Sequence, residues 1–338
     1  MSLLIDAHAH VVLPTTMGAA GDCGPEIGWT DGAPWFRVCG WHLHGVAYEN
    51  SPFTDVDLRL AAMDTDGIDA QILSPNPLTY FHHIAPDDAA QFCATHNDAL
   101  AGLLEGHRDR LAGFAALPIQ SPELAAVELR RAVSELGLLG GYIGTDFRPG
   151  LDAPEMDGFY EVCTELDVPL MVHPAPSGID GPRRDERMAR FDLDLVAEFS
   201  YEELMAVASL IFGGVLHRHP GLDVCISHGG GSTPMHLAKL RRLAERRASV
   251  PAWLRPEGAF DDQVARLWFD LHVTGSAERD FAVSQLGADR LVFGTNFAGW
   301  DGGDAGAAVG LEPVLADNAV RLFRLDSRAP AIVASREL

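Results

Sequence analysis

The chain has almost no lysine. Lys239 is the single one among 25 basic residues, which face 48 acidic residues and leave a formal net charge of −23. A surface that negative repels phosphate backbones and anionic lipid, so nucleic acid and membrane are excluded as expected partners. No run of about 18 apolar residues occurs, and no membrane span is expected. Cys23, Cys39, Cys93, Cys163 and Cys225 are scattered, odd in number and without a CxxC pair, which argues against a disulfide framework or a thiolate zinc site. Cys163 and Cys225 lie in apolar stretches and read as small core residues. No GxGxxG follows the first apolar run, which disfavours a dinucleotide-binding open sheet. Residues 1–6 carry neither a basic stretch nor a small-residue cleavage site. They read as the first strand, and a cytoplasmic protein is expected.

What is present is core material. Of 338 residues, 47% are hydrophobic and 22% charged, a globular balance that suits one large domain over residues 1–338. A short apolar run, a polar residue at its end and a helical pattern recur. The runs cover residues 3–12, 69–74, 111–117, 141–145, 169–173, 223–228, 267–273 and 290–295. Mostly unbroken apolar runs are expected of parallel strands buried on both faces. Helical patterns follow at 86–107, from 121 onward, and at 155–166, 201–217, 234–247 and 278–286. Eight strands alternating with helices predict an α/β fold, a (β/α)₈ TIM barrel. Residues 14–57 and 174–200 break the alternation and read as long βα-loop insertions over the active-site face.

The histidines carry the chemistry. Asp6-Ala7-His8-Ala9-His10 ends the first strand, and alternation puts His8 and His10 on one face, roughly 7 Å apart along it. The fifth run closes on His173-Pro174 and the sixth on His228-Gly229-Gly230-Gly231. Four histidines at three C-terminal strand ends sit where barrel enzymes place catalytic groups. Neutral imidazoles with oxygen donors suit a divalent metal: zinc first, manganese or iron as alternatives.

These motifs resemble the amidohydrolase superfamily, in the branch of 2-amino-3-carboxymuconate-6-semialdehyde decarboxylase and related aromatic-acid decarboxylases. His-x-His in the first strand, His-Pro after the fifth, His-Gly-Gly-Gly after the sixth and Phe293-Gly294-Thr295 after the eighth occur in order. Leu117-Pro118-Ile119-Gln120 and Leu210-Ile211-Phe212-Gly213-Gly214 add to the likeness. The resemblance implies His8, His10 and His173 as metal ligands, and His228 as a proton shuttle beside the metal-bound water or substrate. It also implies a homodimer.

Two departures follow from the same comparison. The family's aspartate after the eighth strand, both metal ligand and proton carrier, is replaced by Asn296. An amide oxygen can still coordinate but carries no proton at neutral pH; the asparagine is either natural or an engineered Asp→Asn change. Asp301, five residues on, is a candidate substitute or a solvated loop acid. The family's carboxylate-holding arginine has no counterpart in the stretch Trp41 to Ala47, with Arg37 and Arg59 the nearest in sequence. His44 and His82, with Trp41, Phe297 and Trp300, are the candidate substrate contacts for a flat, conjugated acid. The expected function is metal-dependent carbon–carbon lyase chemistry, a non-oxidative decarboxylation of an aromatic or unsaturated carboxylic acid. The alternatives are a hydrolase, hydratase or cyclase, or an impaired barrel that binds metal and ligand without turnover.

Overall fold

The computed structural model describes residues 3–175, 185–188, 190–297, 299, 301–303 and 305–334. All eight expected runs form strands: β1 (Ile5–Val11), then, after a three-stranded insertion β2 to β4, β5 (Ala70–Pro75), β6 with β7 (Leu111–Gly113, Ala115–Ala116), β8 (Gly141–Ile143), β9 (Leu170–Val172), β10 (Val224–Ile226), β11 (Trp268–Asp270) and β12 (Leu291–Val292). Every pairing among these is parallel, in the orders β1-β5-β6 and β12-β11-β10-β9-β8-β7. β6 and β7 are one strand interrupted at Phe114, whose N–H still donates to Leu73 O. The other seam is closed by Ala7 N–H to Phe293 O (2.9 Å) and by His10 N–H to Phe297 O (3.0 Å). The ring is a TIM barrel.

Two layers of side chains follow from the strand pleat. One cluster takes a residue from each of the eight strands, including Ile72, Phe114, Tyr142, Met171, Cys225, Trp268 and Val292. The other takes the alternate residues, Leu73, Ile143, Val172, Ile226 and Phe269, with the surrounding helices. β1 changes sides partway: Ile5 and Ala7 belong to the first cluster, Ala9 and Val11 to the second. The cause is a register shift against β5 between Asp6 and Ala9. A local irregularity of this kind re-aims side chains, and here it turns His8 and His10 toward the barrel mouth.

The insertion at 14–57 is more ordered than a loop. β2 (Glu26–Thr30), β3 (Ala33–Val38) and β4 (Trp41–His44) form an antiparallel sheet. Asp31 and Gly32, both at positive φ, make the tight turn between β2 and β3. Phe36, Val38, Tyr48 and Phe81 bury its inner face against Phe92 and Cys93 of the helix Pro86–Leu104. A disulfide joins Cys23 to Cys39; the sequence argued against a disulfide framework, and this one bridge pins the sheet to the turn before it. The insertion at 174–200 lies partly outside the described residues; its end is a π-helical turn, Asp194–Glu198, leading into the helix Phe199–Phe212. The expected helix over 201–217 breaks at Gly214, which holds φ +76° before a short second segment, Val215–Arg218. Among the described residues no helix is long and apolar enough to cross a membrane.

Candidate metal centre

His8, His10, His173 and His228 meet at the C-terminal end of the barrel. Ring centroids lie 4.8 Å apart for His8–His173, 4.9 Å for His8–His228 and His10–His173, and 4.8 Å for His173–His228. His8, His173 and His228 each offer a ring nitrogen within 4.8 Å of the others, and His8 Nε2 is 3.3 Å from His10 Nε2.

The tautomers are set from behind. His173 Nδ1 donates to Pro174 O at 2.5 Å, with the Tyr80 hydroxyl 3.2 Å away. His10 Nδ1 lies 3.2 Å from Pro75 O and 2.9 Å from Ser74 Oγ. A carbonyl can only accept, so both rings carry the proton on Nδ1 and a lone pair on Nε2. His8 Nδ1 stands 2.8 Å from Asp270 Oδ2 in a fully buried contact, with the ring N–H off the line of a hydrogen bond. The carboxylate favours the proton on that side too. Burial, then the neighbouring imidazoles, drives His8 and His173 well below the ordinary histidine range, and burial takes His10 to about 3. All three are neutral at pH 7. Lone pairs converging in a buried site repel unless a cation lies among them, and His173 Nε2 is buried with no hydrogen-bond partner. The donor set fits a divalent metal.

His228 differs. Burial alone would push it down, but Glu203, by charge and by hydrogen bond, and then Asp270 and Asp301 raise it to about 9. Glu203 Oε1 accepts from His228 Nδ1 at 2.5 Å and from Ser227 Oγ at 2.6 Å. Burial pushes the Glu203 carboxyl up, and His228 pulls it back. Gly231 sits at φ +59°, and a Cβ there would come within 2.5 Å of Glu203 Oε2. His228 itself is left-handed at φ +47°, as is Asn296 at φ +51°, conformations that non-glycine residues enter at a cost.

Asn296 sits at the end of the eighth strand, 5% exposed, its Oδ1 buried and without a hydrogen-bond partner. Its Nδ2 donates to Asp301 Oδ1 at 2.6 Å, and Asp301 Oδ2 is 3.3 Å from His272 Nε2. Asp301 is therefore folded back onto the site. Beside His272 and Asp301 lies a cavity of about 450 Å³, lined also by Thr274, Ser276, Gly294 and Arg279. Arg279 is committed elsewhere, to Asp280 and to the carbonyls of Gly306, Ala307 and Val309.

The other candidates fall at different depths. His82 is buried and stacked on Tyr80 at 5.3 Å, and the Tyr80 hydroxyl is 3.2 Å from His173 Nδ1. Phe297 lies under the Arg59 guanidinium at 4.5 Å, and its N–H donates to His8 O. Trp41 packs into the core of the insertion sheet. His44 is exposed on β4, stacked on His42 at 5.9 Å. Trp300 lies outside the described residues. Arg59 is buried and donates to His10 O (2.6 Å) and Gln71 Oε1 (2.9 Å), supporting the first strand.

Sequence reasoning missed Asp270, His272 and Glu203. Asp270-Leu271-His272 repeats the spacing of His8-Ala9-His10 at another strand end, a usable signal. Glu203 had none, because a glutamate on an amphipathic helix reads as solvent-facing.

An amidohydrolase family model matches residues 5–325. 2-Amino-3-carboxymuconate-6-semialdehyde decarboxylase of Dictyostelium discoideum is 31% identical over 245 residues, 72% of this chain and 66% of that protein. Gamma-resorcylate decarboxylase of Rhizobium radiobacter is 29% identical over 299 residues, 80% of this chain and 88% of that one. A solved dihydroxybenzoic acid decarboxylase from Polaromonas sp. JS666, with bound manganese and 2-nitroresorcinol, has a TM-score of 0.73 and 24% identity, covering 96% of this chain and 98% of that one. With the match running from the first strand past the eighth, and the histidine cluster at the barrel mouth, the chain belongs to the amidohydrolase family.

Proposed function

We propose that the protein is a metal-dependent carbon–carbon lyase that removes the carboxyl group of an aromatic or conjugated acid without redox chemistry. The observation that carries it is the set of three imidazoles with their Nδ1 sides occupied, facing one charged imidazole. His8, His10 and His173 would hold a divalent cation, with Asn296 Oδ1 as an oxygen donor. Such an ion polarises a substrate carboxylate or phenolate oxygen. Zinc suits three neutral imidazoles, and the Polaromonas neighbour holds manganese.

The remaining work falls to the chain. Glu203 fixes His228 with Nδ1 turned away, so Nε2–H faces the substrate space. His228 delivers that proton to the carbon bearing the carboxyl group, the carbon–carbon bond breaks, and its electron pair returns to the conjugated system as carbon dioxide departs. Asn296 cannot supply a proton, which leaves His228 as the acid. The cavity beside His272 is of a size for a single-ring acid, and among the described residues no uncommitted arginine lines it. The same reading includes a cytoplasmic homodimer; exposed Tyr201 and Met205, one turn apart on the helix Phe199–Phe212, are apolar surface that a second copy would cover.

The test is incubation of zinc- or manganese-loaded protein with ortho-hydroxybenzoic and conjugated dicarboxylic acids, following carbon dioxide. Stoichiometric release supports decarboxylation. A hydrated product without carbon dioxide replaces it with the hydratase reading, and ligand binding without turnover leaves a binding barrel.

A further inference from the structure

Asn296 poses a charge problem. A divalent ion among three neutral imidazoles and an amide has no anionic ligand; Asp270, 2.8 Å behind His8, is one negative charge against the ion's two, and a buried cation short of counter-charge is costly. The loop after the eighth strand answers it. Gly299 N–H bonds to Asn296 O at 2.7 Å and Gly303 N–H to Thr295 O at 2.7 Å, which turns the chain back on itself. Asp301 is thereby returned to the asparagine it follows by five residues, 2.6 Å from Nδ2. The His272 ring Nε2 lies 3.3 Å from the second carboxylate oxygen, and the backbone N–H of His272 donates to Asp270 Oδ1 at 3.0 Å. The turn needs glycine at 299, because a Cβ there would lie 2.4 Å from the Asn296 amide.

We propose that Asp301 is the displaced acid of the metal site: it positions Asn296 by accepting from Nδ2, which leaves the buried Oδ1 uncommitted, and it places a second negative charge directly behind that ligand. Asn296 and Asp301 together do what one coordinating carboxylate would do, the amide supplying the oxygen and the acid the charge. The inference rests on the metal-centre reading above.

Charge and shape can be separated. Asp301→Asn keeps an oxygen that accepts from Asn296 Nδ2 and removes only the charge, whereas Asn296→Asp combined with Asp301→Asn moves the charge onto the coordinating position. The readout is Mn²⁺ affinity, from free Mn²⁺ counted by electron paramagnetic resonance, with circular dichroism and an unfolding midpoint recorded on each protein. Asp301→Asn is expected to weaken Mn²⁺ binding about tenfold or more, and the double variant to recover it. Unchanged affinity in folded Asp301→Asn overturns the proposal, as does a double variant that stays weak. Wild-type protein that binds no Mn²⁺ or Zn²⁺ overturns the metal-centre reading itself, an outcome distinct from both.

Discussion

His8, His10 and His173 are each presented by a neighbour at Nδ1: the Asp270 carboxylate, the Pro75 carbonyl and the Pro174 carbonyl. Two of these are backbone groups that substitution cannot remove, so the informative change is at the third. Asp270→Asn loses the negative charge beside His8 and should weaken metal binding by about 10- to 100-fold, the usual worth of a partner behind a ligand, read by equilibrium dialysis. Glu203→Gln addresses His228 instead. It keeps the side chain's size and an accepting oxygen but removes the charge that holds the proton. With metal content unchanged, kcat should fall by about 100-fold while KM stays near its original value. A fall in metal content instead would make Glu203 a scaffold for the whole cluster.

At the scale of elements, β1 shows why the histidine pair was legible and its orientation was not. The His-x-His spacing is visible in the residues, but the register shift that turns it inward exists only once β5 is paired alongside. The helix Val56–Asp66 carries Arg59 beneath that strand. Arg59→Leu would strand the His10 carbonyl and Gln71 in a buried layer and should cost about 3 kcal/mol, seen as a lower urea midpoint. Gly299→Ala should disturb the Asn296 amide and lower metal occupancy while leaving the barrel folded, since the position lies in a loop at the mouth. The insertion was readable in part. Asp31-Gly32 between aromatic segments is a hairpin signal, masked by the glycines and prolines around it. The eight barrel strands were legible because strands buried on both faces leave continuous apolar runs. Glu203 was not, because what makes it functional is burial contributed by distant elements.

For the molecule as a whole, the metal is expected to be part of the fold's stability as well as of the chemistry. Lone pairs crowded at the barrel mouth are relieved by a cation, and ligand binding to the native state alone raises stability by about 4 kcal/mol at a thousandfold excess over Kd. Chelation should therefore lower the thermal midpoint, and stoichiometric divalent metal should restore it, with the midpoint rising as free metal rises. The net charge of −23 adds long-range attraction for a divalent ion that salt should weaken. The most direct test of the account is anomalous diffraction from crystals loaded with zinc or manganese. One peak per chain, about 2.0–2.2 Å from Nε2 of His8, His10 and His173, is the predicted result. Saturating metal with no peak at that cluster, or an ion held without those three nitrogens, would contradict it.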